Sequence, residues 1–513
     1  MFPLPPLTRR QWRRRWDATM VMPRSHFEQG EFCFLGKKGT IRTSTDWNSK
    51  KRSKLWLYNL HYLDDLNAFE ADSRKPLHEW MIQRWTEDNP PISGNGWEAY
   101  PLSLRVVNLV KWYARQECVD NDKLQSLGRQ AQALSAQVER HILANHLFAN
   151  AKGLIFVGAF LSGEKGDAWL QEGLRILERE VQEQFLSDGG HFELSPMYHS
   201  ILLWDLCDLV NLASSSSISS LRDRASGWRE VILRGIKWLR AMSHPDGEIS
   251  FFNDAAFKCA PSPDSVFEYA KKMGIELEET KSHSTLSMEY LPETGYVTVK
   301  IGESGKAILD VAEVGPRYQP GHAHADTLSF ELSLFGQRIL VNSGTSVYGH
   351  DVERLQQRST GVHNTVEING ENSSQVWSGF RVAKRARPTG LELMERADGI
   401  TVCSSHDGYR WSSGSPVHTR QWKITRMKLV VTDRIKGKFG SAVARFYLHP
   451  DISVENNQVL RLPEGKKVGW SVKSGDSSIV HSIWHPEFGE SVESNCLEVL
   501  FSGSEITTEF AWA

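Results

Sequence analysis

Absences set the first limits on this 513-residue sequence. Its six cysteines, Cys33, Cys118, Cys207, Cys259, Cys403 and Cys496, stand singly without a CxxC pair. That pattern removes disulfide frameworks and zinc ribbons, and it reads as reduced, partly buried thiols in a reducing compartment. No apolar run nears the ~20 residues that a membrane-spanning helix needs, so no membrane partner is expected. Neither sign of charge dominates, with Lys+Arg 60 against Asp+Glu 62 and an isoelectric point near 6.8. No global field then draws the chain to nucleic acid, and affinity for an acidic partner must be local. The basic start, "MFPLPPLTRRQWRRRWDATM", lacks the continuous apolar core of a secretory signal, so the expected location is cytoplasmic or reached by unconventional export. Its "RRQWRRRW" run reads first as a basic tail and second as a polyanion contact. There is no internal repeat and no low-complexity linker.

What is present suits a soluble globular protein: 40% hydrophobic and 24% charged residues. The length calls for two domains. Eighteen tryptophans are many; flat rings with a polar edge fill cores and also stack on sugar faces. Residues 50 to 285 carry a helical period, as in "YPLSLRVVNLVKWYARQ", where Leu102, Val106, Leu109, Val110 and Tyr113 share one face. After residue 286 the period becomes two, in "GYVTVKIG", "KAILDVAEV", "LSFELSLFGQRILVNSG", "KLVVTDRI" and "ARFYLHP". Strands in succession without helices between them imply an antiparallel sandwich. The expected domains are 1–285, all α with a short N-terminal extension, and 286–513, all β.

Three clusters could carry chemistry. In "LANHLFANAKGL", Asn145, His146 and Asn150 interrupt an apolar helix; they face a ligand or are satisfied core polar groups. In "SDGGHFELSPMYHS", Ser195 and Pro196 form a helix-start pair that puts Tyr198 in the first turn, where the helix dipole eases phenolate formation. A tyrosine so placed can transfer protons, or merely pack. In "YQPGHAHADTLSFEL", His322, His324 and Asp326 are spaced by two, and on a strand they share a face. Asn342, Tyr348, His350 and His363 follow, and two histidines with a third donor make a divalent-metal site; a hydrogen-bonded histidine network is the alternative. Downstream lie Arg354 and Arg358, then Trp377 with Arg381, Lys384, Arg385 and Arg387. Guanidinium forks beside an aromatic suit carboxylates or sulfates on a sugar polymer.

These stretches, with "GNGWEAYPLSLRVVN", "ANHLFANAKGLIFVGAF", "HPDGEISFFNDAAF", "VNSGT" and "HNTVEINGENSS", resemble the heparinase II/III family of polysaccharide lyases and its exolytic alginate lyase relatives. The resemblance runs in order over most of the chain. It implies an N-terminal (α/α) toroid and a C-terminal antiparallel β-sandwich with the active site between them. It also implies β-elimination on a uronate-containing anionic polysaccharide, a glycosaminoglycan first, with alginate or a bacterial exopolysaccharide as the alternative. Asn145 and His146 would neutralise the uronate carboxylate, Tyr198 would act as acid or, on one face, as both acid and base, His322 would assist or act as base for the opposite epimer, and Tyr348 would be a second catalytic tyrosine. Asn95, Trp97, Asn150, Glu193, Arg354, Arg358, Trp377 and Arg381 are assigned to substrate binding. The family's metal site carries over to His324, His363 and Asn342, the last standing where the family has aspartate. A neutral amide binds zinc less well than a carboxylate, so either Asp326 compensates, or the site takes a different or weaker divalent ion, or it is empty; the expectation is a structural divalent ion, zinc first and manganese or calcium next.

Two other classes compete. Glycoside hydrolysis needs two opposed carboxylates, for which Glu193 and Asp254 are the candidates. A lyase-like protein that binds polysaccharide without cleaving it is the second. The sequence specifies neither oligomeric state nor sulfation pattern.

Overall fold

The computed structural model describes residues 4–17, 19–20, 22–277, 285–455 and 458–513. They form two compact units. The first is Met1–Phe185, Ile201–Leu233 and Ser265–Glu276; the second is Leu186–Ser200, Arg234–Asp264 and Leu277–Ala513.

Among the described residues the helical period of the sequence yields nine helices: α1 (Lys54–Tyr62), α2 (Lys75–Asp88), α3 (Ala99–Ala114), α4 (Asn121–Ala136), α5 (Ala144–Phe160), α6 (Glu164–Gln184), α7 (Pro196–Ser215), α8 (Ser219–Ala241) and α9 (Pro263–Lys272). Helix α3 buries the face expected of it, Leu102, Val106, Leu109, Val110 and Tyr113. In α5 every residue but His146 is buried, as a helix that is apolar all round requires. It lies against α6 through Gly158, where a Cβ would fall 2.5 Å from the Leu170 nitrogen and 2.6 Å from the Gly166 oxygen. The charges that α3, α5 and α7 carry inward neutralise one another, Lys111 and Lys152 each donating to Asp208 at 2.5 Å.

The basic start is not a free tail. It straps the first unit by capping helix ends. Arg9 donates to the Gln116 and Ala114 carbonyls beyond α3, and Arg10 to the Gly158 and Leu161 carbonyls at the end of α5. Trp12 donates its indole N–H to the Ala159 carbonyl. Cations at helix C-termini meet the negative end of the dipole, and they satisfy carbonyls that the helix leaves over.

In the second unit the period-two segments build three antiparallel sheets. Five strands run in chain order, β4 (Leu286–Leu291), β5 (Tyr296–Ile301), β6 (Gly305–Asp310), β7 (Phe330–Leu334) and β8 (Gln337–Leu340); β1 to β3 are the short N-terminal ribbon His26–Glu28, Glu31–Phe34 and Lys37–Thr40 in the first unit. A four-stranded sheet joins β9 (Val366–Ile368) and β16 (Ala442–Tyr447) to β21 (Val492–Phe501) and β20 (Asp476–Trp484). The eight-stranded sheet is ordered β12 (Pro388–Arg396), β13 (Gly399–His406), β14 (Val417–Ile424), β15 (Lys428–Lys436), β22 (Glu505–Trp512), β19 (Lys467–Lys473), β18 (Val459–Arg461) and β17 (Ser453–Glu455). Val299, Phe330, Trp422, Val431, Phe446 and Phe510 share one apolar core. A two-stranded hairpin, β10 (Val376–Trp377) and β11 (Arg381–Val382), stands apart, and a short helix, α10 (Val352–Gln357), precedes it. Among the described residues no helix is long and apolar enough to cross a membrane.

Candidate active site

The segment 321–328 is an irregular loop, not the strand its spacing suggests; β7 begins at Phe330. Side chains and loops take its backbone groups in place of a ladder. Arg358 donates to the Ala323 carbonyl from Nε and Nη2 at 3.1 and 2.9 Å, and the Ala325 N–H donates to the Arg358 carbonyl at 3.0 Å. His322 and His324 nevertheless converge, and what gathers them is Asp254. His322 donates Nδ1–H to Asp254 Oδ2 at 2.8 Å and His324 donates Nε2–H to Oδ1 at 2.8 Å. Arg354 closes the cluster, donating Nη2–H to Oδ2 at 2.7 Å and Nη1–H to Oδ1.

Burial opposes the Asp254 charge, but the Arg354 guanidinium and the bonds from His322, His324 and Arg354 hold its carboxyl well below the usual range. Its main chain is engaged too: its N–H donates to the His322 carbonyl at 3.0 Å, and its carbonyl accepts from Ser195 Oγ at 2.5 Å. Ser195 is the helix cap anticipated from sequence, accepting the Tyr198 N–H at 3.3 Å. Asn253, in the left-handed region at φ 58°, donates Nδ2–H to the Leu194 carbonyl and accepts the His324 N–H.

This scaffold brings Tyr198, His322 and Tyr348 together. The Tyr198 ring centroid lies 4.0 Å from that of His322, and its hydroxyl lies 2.9 Å from the Tyr348 hydroxyl. Phe380, from the β10–β11 turn, packs edge-on to His322 and Tyr348. Burial, then the Asp254 charge, pushes the Tyr348 phenol well above its ordinary value, so it stays a proton donor at neutral pH. Because His322 gives Nδ1–H to a carboxylate, the neutral ring carries its lone pair on Nε2. The site therefore holds an imidazole base and two phenolic hydroxyls side by side.

In the first unit, His146 at the start of α5 donates Nδ1–H to Glu139 Oε1 at 3.1 Å and stacks on Tyr100 with centroids 4.3 Å apart. Burial, then the Asp205 charge, pushes the Tyr100 phenol up, and the neighbouring Asn145 amide opposes that rise. Asn150 is spent internally, accepting the Glu139 N–H and donating to Ser103 Oγ and Glu139 Oε2. Asn95 bonds Asn48, and Trp97 is a core residue whose indole donates to the Asn89 carbonyl. All three side chains thus have partners within the unit.

Arg354 and Arg358 are 0% exposed, one neutralising Asp254 and the other pinning the histidine loop. Arg385 also serves a loop, donating to the Pro316 and Arg317 carbonyls. Trp377 and Arg381 stay accessible. They face each other across the β10–β11 hairpin, with Trp377 51% exposed and Arg381 exposed. Glu193 is buried, and Asp254 lies beneath four donor groups, so the two carboxylates nominated for hydrolysis do not stand as an open pair.

The trio read as a metal site is strung out instead of converging. His324 Nδ1 lies 3.3 Å from His363 Nε2, while Asn342 lies 3.3 Å from His363 Nδ1, on the other side of that ring. Asp326 turns away, taking the Asn253 N–H at 3.5 Å. Among the described residues no group of three His, Cys, Asp or Glu is placed to hold a metal. Asn342 Oδ1 also accepts the Asn364 N–H at 3.3 Å, which fixes the amide as drawn and lets His363 give it Nδ1–H. Asp254 fixes His324 as Nε2–H, so the lone pairs of His324 Nδ1 and His363 Nε2 face each other at 3.3 Å.

A family model described as Heparinase II/III N-terminus matches residues 61–273, and one described as Heparinase II/III-like, C-terminal, matches residues 279–513. A heparin-sulfate lyase of Pedobacter heparinus is 27% identical over 441 residues, 80% of this chain and 63% of that protein. One of Bacteroides stercoris is 29% identical over 262 residues, 48% and 38% respectively. The chain thus spans less than two thirds of the length of these curated relatives. A crystal structure of heparinase III superposes with TM-score 0.72 at 16% identity, covering 96% of this chain and 81% of that one. A Streptomyces coelicolor chondroitin AC lyase in complex with chondroitin sulphate follows at TM-score 0.53, 10% identity, and 89% and 75% coverage. The shared fold is an (α/α) toroid with an antiparallel β-sandwich, and this chain belongs to the heparinase II/III family.

Proposed function

We propose that the chain is a polysaccharide lyase that cleaves a uronate-containing glycosaminoglycan, heparan sulfate first, by β-elimination. The observation that carries this reading is the cluster of Tyr198, Tyr348 and His322 over the Asp254–Arg354 pair. His322 Nε2 takes the C5 proton of the uronate. The C5 electron pair forms the C4–C5 double bond as the C4–O4 bond breaks, and Tyr198 gives its proton to the departing O4. Tyr348, kept protonated, hydrogen-bonds the Tyr198 oxygen as charge develops there. Asn145 supplies, in this reading, a hydrogen bond that neutralises the uronate carboxylate and so acidifies C5–H, and His146 adds a second from Nε2 in its imidazolium form, in which both ring nitrogens donate. Trp377 offers a face to a sugar ring and Arg381 a fork to a sulfate or carboxylate. Domain limits of 1–285 and 286–513 remain part of the proposal.

The test is incubation with heparan sulfate, heparin, hyaluronan, chondroitin sulfates and alginate while the ultraviolet absorbance of unsaturated uronate is followed. The wild type should give a rise with heparan sulfate that Tyr198→Phe abolishes. New reducing ends without that absorbance would sink the lyase reading in favour of hydrolysis.

A further inference from the structure

The N-terminal strap does more than cap helices. Between it and the end of α3 lies an open cleft of about 480 Å³, within the size of small-ligand sites. Among the described residues its wall carries five arginines, Arg9, Arg10, Arg14, Arg15 and Arg115, against one carboxylate, Glu117. Arg10 meets the exposed Asp167 and Arg115 meets the exposed Asp72. Arg9 and Arg15 are held by carbonyl oxygens, which satisfy N–H groups without cancelling a full charge. Arg14 is exposed.

The cleft is remote from the Asn145–His146 cradle within the same unit. Tyr100 and Asn145 lie at the starts of α3 and α5, while the strap docks on Ala114, Phe160 and Leu161 at or just beyond their ends. At 1.5 Å per residue the two ends are about 20 Å apart.

We propose that this cleft is a second, non-catalytic binding site for sulfated, carboxylated polysaccharide, which keeps a long polymer on the enzyme while another part of the same chain is cut. Guanidinium forks pair bidentately with sulfate and carboxylate oxygens, and a second point of attachment raises the effective concentration of a polymer but does nothing for a fragment too short to reach it. Single-stranded nucleic acid suits the cleft less well, because it needs free aromatic faces. Trp12 is already packed against Trp16 and Phe160. The proposal rests on the proposed function only for its choice of ligand.

Binding without turnover is measured in a Tyr198→Phe background with heparin polymer, heparin tetrasaccharide and a DNA duplex of matched charge. Arg14→Glu with Arg15→Glu should weaken polymer binding roughly fivefold, the effect of two exposed ion pairs. In the otherwise unaltered enzyme the same pair should raise the ratio of polymer KM to tetrasaccharide KM. Arg14→Gln alone removes a side chain that holds nothing of the strap, and it should give a smaller loss at an unchanged melting temperature. Unaltered polymer binding in both variants overturns the site, and DNA binding as tight as heparin overturns its assignment to polysaccharide. Absence of turnover on every polymer would sink the lyase reading while leaving this binding measurement intact.

Discussion

Replacing Asp254 by asparagine changes three atoms and should disable the site. The carboxylate takes two N–H groups from Arg354, one from each of two imidazoles, and the Thr345 hydroxyl at 3.3 Å. An amide offers one acceptor oxygen, and whichever way it turns, its NH2 faces one guanidinium N–H and one imidazole N–H. Arg354 is then a fully buried cation without its carboxylate. Breaking a buried pair costs about 3–5 kcal/mol, and the isosteric amide keeps one acceptor, so about 3 kcal/mol is expected, lowering the melting transition by at least about 5 °C. Catalysis should suffer more. The amide no longer fixes His322 as Nδ1–H, the Nε2 lone pair is lost to the other tautomer, and kcat should fall roughly 10³- to 10⁴-fold, as when a triad carboxylate is made an amide. KM should change little, because no substrate contact is removed. The assay is the absorbance of unsaturated uronate over a range of polymer concentrations, with ¹⁵N spectra of the histidines reporting the tautomer. An asparagine variant whose kcat stays within about threefold of the parent would refute the clamp.

Asn342→Asp keeps an acceptor for the Asn364 and His363 N–H groups and adds the carboxylate that zinc prefers, so added zinc should raise the melting temperature of the variant more than that of the parent. An equal response of the two proteins to zinc would contradict this. Asp433, deeply buried, is pulled down to about 2 by Arg420 and the His418 bond against the cost of burial. Its folded value lies below the unfolded one, so its stabilisation, about 2 kcal/mol, is present above about pH 4 and lost as pH falls through about 2. Asp433→Asn should therefore lose stability at neutral pH and converge with the parent in strong acid, as read from urea midpoints at several pH values. Gly158→Ala drives a methyl into α6 backbone and should cost about 1–3 kcal/mol; an unchanged melting temperature would show that α5 and α6 can part at no cost.

Much of this was legible in the sequence, because periodicity and helix caps are local. The α3 face, the switch to strands near residue 286 and the Ser195 cap over Tyr198 all follow from residues within one or two turns of each other. What could not be read is which charged side chains are buried. Arg354 and Arg381 look alike in a basic stretch, yet the first has its partner 100 positions away at Asp254 and the second lies on an exposed hairpin. The same holds for β14, whose inward face carries His418 and Arg420 because Asp433 on β15 receives them. The irregular loop at 321–328 keeps the alternation of a strand without its ladder, since the groups that occupy its backbone come from Arg358. Asn253 and Asp254 were signalled only by two polar residues in an apolar "SFFNDAAF".

Residue 254 ties Tyr198 and His322 to a single point, the first through Ser195 on its carbonyl and the second through both its N–H and its carboxylate. Thermal motion of this point is therefore common to the two side chains. They drift together as a rigid couple, and the gap between proton donor and proton acceptor is insulated from breathing of the surrounding sheets.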